Sequence, residues 1–163
     1  MGDALLRRRM SGKKYIYKAG DECSALTGGW GKYGAHGGWT VTAGIKSSDH
    51  FTVGPGSATD AKMILLGTIR MIDLAKFKTI SVDYVKKALG TNADSYKLKL
   101  CVSTANTDPV VSTGVVASVL LNAAVSTSHI TATLDVSALT SSYYIWVQSS
   151  SPDVGDVYSV SMK

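Results

Sequence analysis

Ile130-Thr131-Ala132-Thr133-Leu134-Asp135-Val136 alternates apolar with polar side chains from end to end. A period of two is what a β-strand with one buried face requires, whereas a helix would bring apolar residues back every three or four positions. The same reading extends outward in both directions. Thr79 to Lys86 offers Ile80, Val82 and Tyr84 to one side, and Lys97 to Ser103 offers Leu98, Leu100 and Val102 with Lys97 and Lys99 opposite. The last run places Tyr158, Val160 and Met162 together, and Lys13 to Ala19 supplies the first strand-like segment. Two runs, Met63 to Ile72 and Val115 to Ala124, are more continuously apolar and predict strands covered on both sides, with a helix as the competing reading for 115–124. Between the runs lie DLAKF, TANTDP, DVSALTSS and SSSPDVGD, whose Asp, Asn, Gly and Pro residues favour chain reversal. About eight short strands at this spacing predict an all-β fold, an antiparallel β-sandwich or jelly roll.

The chain has 163 residues, 45% hydrophobic and 18% charged, with a mean hydropathy of +0.10. That suffices for one packed domain, and no apolar run approaches the roughly 20 residues of a membrane span. The opening MGDALLRRRM has no signal-peptide hydrophobic region, and Leu6 stands where a myristoylation motif wants Ser or Thr. The net charge of +5 is concentrated there: residues 1–18 hold six bases against one acid, and residues 19–163 hold eleven of each. A nucleic-acid-binding fold spreads Lys and Arg over a groove or face, so a neutral body argues against that class. The expected division is a basic attachment arm over 1–12, a short helix or extended peg carrying Leu5, Leu6, Arg7, Arg8 and Arg9, followed by a β-sandwich domain over 13–163. So short an arm needs a partner to order it.

Catalytic chemistry is hard to place. His36, His50 and His129 are scattered, and none has a second ligand at the spacing a metal site uses on one element. No nucleophile elbow, zinc-protease, P-loop or Rossmann pattern occurs, and glycoside hydrolysis needs a carboxylate pair that nothing local enforces. The expectation is a protein without enzymatic activity, cofactor or metal. Cys23 and Cys101 are too few for a disulfide framework, so free thiols are the default. Asp153 and Asp156 in SPDVGDVY suit a calcium loop but are accounted for by a turn.

Two segments read as contact surfaces. GGWGKYGAHGGW, residues 28–39, interleaves Trp30, Tyr33, His36 and Trp39 with six glycines. Glycine permits backbone shapes that lay rings flat against a sugar, while the alternative makes Trp30 and Trp39 core anchors on either side of a hairpin. In YYIWVQ, residues 143–148, alternation sets Tyr143, Ile145 and Val147 on one face and Tyr144, Trp146 and Gln148 on the other. If the aliphatic set is the core, Tyr144, Trp146 and Gln148 form a stripe for a sugar or a protein. Alternatively that face is covered by a second layer, the arm or a neighbouring subunit.

The phrases MGDALLRRRM with YIYKAGDECSALTGGW, MIDLAKFKTISVDYV and ATLDVSALTSSYYIWVQ resemble small structural proteins from the tail-module region of bacteriophages and prophages of gut Firmicutes. Such proteins are similar to carbohydrate-binding-module jelly rolls. The resemblance implies a virion component, assembled in the host cytoplasm, whose arm docks on other virion proteins and whose head contacts host cell-surface polysaccharide. No nucleic-acid or membrane partner is expected, given the neutral body and the lack of a spanning apolar run, and the analogy with phage surface proteins implies a homo-oligomer, a trimer. The alternative function is capsid decoration or tail-assembly cement, in which the aromatics are subunit interface.

Overall fold

The computed structural model describes residues 12–18, 30–31, 40–43, 45–46, 49–53, 62–68, 70–90, 97–105, 114–150 and 153–163. Among them the secondary structure is strand, with no helix: β1 (Lys14–Lys18), β2 (Trp30–Gly31), β3 (Thr40–Ala43), β4 (Ile45–Lys46), β5 (Phe51–Val53), β6 (Lys62–Thr68), β7 (Ile72–Asp73), β8 (Thr79–Ala88), β9 (Lys99–Ser103), β10 (Val115–Leu120), β11 (Ile130–Asp135), β12 (Ser142–Ser150) and β13 (Val154–Met162). The proposed arm, Leu5 to Arg9 included, lies outside the described residues.

The strands form two sheets. The first runs β11-β8-β13-β5-β4, with β1 also on β13, and the second runs β10-β9-β12-β6-β2, with β3 on β6 and β7 on β12. Pairing is antiparallel except between β3 and β6. Their inner faces interdigitate as one core: Ile80, Val82 and Tyr84 of β8, Val157, Val160 and Met162 of β13, Leu100 and Val102 of β9, and Ile145 and Val147 of β12. The fold is therefore an antiparallel β-sandwich, and the alternating runs of β8, β9, β11 and β12 put inward the residues that the period of two selects. Two turns work as their sequences predict. The Asp73 carboxylate accepts Ala75 N–H at 2.9 Å and the Asp135 carboxylate accepts Ser137 N–H at 2.8 Å, each fixing a reversal.

Three expectations need correction. Residues 115–124 are neither a helix nor a doubly covered strand. β10 is an edge strand with one flank unpaired among the described residues, and an extra residue at its start, Val116, is left exposed by a bulge opposite β9. Next, the lysine face of β9 is not open: Lys99, Cys101 and Ser103 are as buried as Leu100 and Val102. Burial pushes the Cys101 thiol up to about 12, so it stays protonated at neutral pH. Finally, Tyr158 does not share the core face with Val160 and Met162. Val157 pairs with Tyr84 and Ser159 with Asp83, so Tyr158 is the additional residue of a β-bulge and is turned outward.

Gly114 closes the β9–β10 connection with φ of 81°, and its carbonyl accepts Thr104 N–H at 2.9 Å. A Cβ there would lie 2.8 Å from Thr104 Oγ1. Gly114→Ala is expected to cost about 1–2 kcal/mol, the penalty of a left-handed conformation for an L-residue, read as a lower urea midpoint at unchanged slope.

Candidate ligand-contact face on the first sheet

The stripe read from YYIWVQ is not a surface. Ile145 and Val147 do face the core, but Trp146 is 0% and Gln148 2% exposed on the opposite side, with Tyr144 half-buried. Trp146 stands between two small neighbours, Cys101 of β9 and Gly67 of β6. Tyr144 lies beside it at 6.0 Å between ring centroids, and Val115 packs on the same cluster. The indole is thus a packing element of a second apolar cluster, behind the sheet from the main core. Trp30 belongs to β2, opposite Thr68 of β6. Tyr33, Trp39 and His36 lie outside the described residues.

The exposed chemistry gathers elsewhere, on the outer face of the first sheet. Two bulges shape it. Between β8 and β13, Val154 pairs with Ala88 and Gly155 with Lys86, leaving Lys87 extra on β8; Tyr158 is extra on β13. Each added residue re-aims a side chain that strict alternation would place differently. Tyr158 then stands between two histidines from distant parts of the chain, with His129 at 4.1 Å and His50 at 5.4 Å between ring centroids.

Carboxylates hold both imidazoles. His129 Nδ1 lies 3.1 Å from Asp83 Oδ2 and 3.2 Å from Oδ1, and His50 Nδ1 lies 2.7 Å from Asp49 Oδ1. On its other side His50 Nε2 is 3.6 Å from Asp156 Oδ1, which also accepts the Thr52 hydroxyl at 2.8 Å. Lys87 Nζ approaches Asp156 Oδ2 at 3.8 Å. Burial, then the charges of Asp156, Asp49 and Asp83, push the Tyr158 phenol above its ordinary value, so it is a neutral hydroxyl at physiological pH. Alongside, Ser81 and Thr133 share a hydrogen bond of 3.0 Å across β8 and β11.

This arrangement presents an aromatic body, ring nitrogens, carboxylate oxygens and hydroxyls on one sheet face, the mixture that grips a polyhydroxylated ligand. Among the described residues no group of three or more His, Cys, Asp or Glu is placed to hold a metal ion. Asp153, read from sequence with Asp156 as a turn or calcium ligand, is instead buried and ion-paired with Lys86 at 2.8 Å.

The sequence reading missed this face for two reasons. His50 and His129 meet only after β5, β8, β11 and β13 assemble. The outward turn of Tyr158 did leave a signal: Val157 and Val160 are three apart in a strand, and both can face inward only if an extra residue is accommodated between them.

No protein-family model matches the chain, and no curated protein matches it in sequence. Among solved structures it is similar to a glycoside hydrolase family 43 arabinoxylan arabinofuranohydrolase from Bacillus subtilis in complex with cellotetraose, at a TM-score of 0.42 and 9% identity. That match covers 70% of this chain and 21% of the hydrolase chain, a likeness too slight to bear on activity.

Proposed function

We propose that this chain is a non-enzymatic structural protein of a phage particle, its β-sandwich displayed for contact with host surface glycan through the face around Tyr158. The sequence phrases that resemble phage tail-module proteins support the setting. The observation that carries the contact face is the bulge that turns Tyr158 outward between His50 and His129, with Asp49, Asp83 and Asp156 close by. A core aromatic needs no such surroundings. A sugar ring stacks its C–H face on an aromatic while neighbouring acceptors and donors take its hydroxyls. In this reading the basic arm over residues 1–12 tethers the domain to other virion proteins, and modest affinity per copy is multiplied by display in many copies.

A glycan array probed with the purified chain, followed by titration of the best binder, tests the proposal. Tyr158→Ala is expected to weaken binding on the order of tenfold, equivalent to about 1.4 kcal/mol, with the unfolding midpoint little changed because the ring lies outside the core. His129→Ala should weaken it in the same direction. If no surface polysaccharide binds, or the variants bind as the parent does, the glycan reading fails. If Tyr158→Ala instead changes the oligomeric state, the face is subunit interface and the cement alternative takes over.

A further inference from the structure

Among the described residues, an ion pair that the contact function does not use is sealed inside the sandwich. Lys86 sits on the inner side of β8, in line with Ile80, Val82 and Tyr84, and its side chain is 0% exposed. Asp153, immediately before β13, is equally enclosed, and Lys86 Nζ lies 2.8 Å from Asp153 Oδ1. Two backbone donors grip the carboxylate: Gly90 N–H reaches Oδ1 at 2.9 Å, and Leu98 N–H reaches Oδ2 at 2.5 Å. Lys86 Nζ also donates to the Leu121 carbonyl at 2.9 Å. The Asp153 backbone is held in turn, its carbonyl accepting the Ser149 hydroxyl.

We propose that Lys86 and Asp153 condense, with loss of water, into an intramolecular isopeptide bond that joins β8 to the start of β13. The geometry supplies what the step requires. An amine and a carboxyl group are held at hydrogen-bond distance by the fold, which replaces a costly encounter by a prearranged one. Enclosure disfavours the separated charges of ammonium and carboxylate. Burial is also the largest influence on the Lys86 amine and lowers its pKa, against the opposing pull of Asp153, so the neutral nucleophilic form is made more accessible.

The balance closes without any other reactant. The Lys86 ammonium passes one proton to Asp153 Oδ1, giving a neutral amine beside a neutral acid. The nitrogen lone pair forms the C–N bond at Cγ, while the Leu98 N–H, aimed at Oδ2, stabilises the charge that develops there. A second nitrogen proton moves to Oδ1, the C–Oδ1 bond breaks, and that oxygen leaves as water. The amide retains Oδ2 as its carbonyl oxygen on Leu98 N–H and one N–H directed at the Leu121 carbonyl, while Gly90 N–H, bonded to Oδ1 in the ion pair, gives up that acceptor when the water departs.

Intact mass measurement of the full chain under denaturing conditions decides the matter, because it does not depend on any variant folding. The expected result is a population lighter than the sequence mass by one water. Trypsin should then release a branched peptide in which residues 79–87, uncut at Lys86, are joined to residues 100–163, which contain no internal Lys or Arg. A succinimide at an aspartate would lose the same water but leave no branch. Lys86→Arg should restore the full mass. Parent protein that keeps the sequence mass entirely, after purification and after prolonged incubation in the folded state, or that loses water without a branched peptide, overturns the proposal and leaves Lys86 and Asp153 as an ion pair.

Discussion

Asp153→Ala is expected to cost this domain about 3–5 kcal/mol relative to parent chain whose Lys86 and Asp153 are still uncondensed, the loss that follows when one partner of an enclosed ion pair is removed and the other stays behind. The residue does more than neutralise Lys86. Its carboxylate is the acceptor for Gly90 and Leu98, so truncation strands two backbone N–H groups together with the ammonium, which keeps only the Leu121 carbonyl. Against a total stability on the order of 5–15 kcal/mol for a single domain, that is a large fraction, and it leaves the fold marginal at the low end of the range. Urea unfolding followed by far-ultraviolet circular dichroism measures it. The double variant Lys86→Met with Asp153→Ala should recover part of the deficit, since an apolar side chain of similar length tolerates that interior better than an unpaired charge. A single-variant cost below about 1 kcal/mol would mean that water reaches Lys86 and that the pair is not sealed.

Trp146→Ala should be nearly as damaging, and for a reason unrelated to recognition. The indole is fully enclosed with Cys101, Val115 and Tyr144 around it, so truncation opens a cavity that the two flanking strands cannot close. A cost of about 3–5 kcal/mol is usual for a buried aromatic cut back to alanine. For a chain of this size that corresponds to a fall of roughly 6–20 °C in melting temperature. Calorimetry gives the number, and glycan binding by whatever fraction stays folded should be unaltered. The contrast with Tyr158→Ala separates packing from contact: one variant loses stability, the other loses ligand. Equal binding losses at equal stability would place Trp146 at the surface after all.

The sheets were legible because alternation is a local property. Ile80, Val82 and Tyr84, or Leu100 and Val102, advertise their common face within a handful of residues, and the two-sheet architecture follows from burying those faces together. The same rule shows where local reading ends. It separates Trp146 from Val147 correctly but says nothing about whether the far side of a central strand meets solvent, because that depends on what the rest of the chain lays over it. Tyr158 failed differently. Counting by two across a bulge inverts every assignment on one side of it, so the residue that leads the contact face was read as core. His50 and His129 carry no sequence signal of their own, since 79 positions separate them and only β13 brings Tyr158 to both. The Lys86 and Asp153 pair was invisible for the same reason: a lysine at the end of an alternating run looks like a solvated terminus until its partner arrives.

The position of β13 has a consequence for biosynthesis. It lies in the middle of the first sheet, touching β1, β5 and β8, yet it is translated after all of them. Until β13 is made, β1 lacks its partner and β8 has only β11 beside it, so their apolar faces stay uncovered. Completion of the first sheet therefore waits for β13 to emerge, after which a late strand must slot between early ones, a long-range closure that is intrinsically slow. Termination before β13 leaves the apolar faces of β1, β5 and β8 without the strand that joins them, an aggregation-prone fragment in place of a smaller working domain.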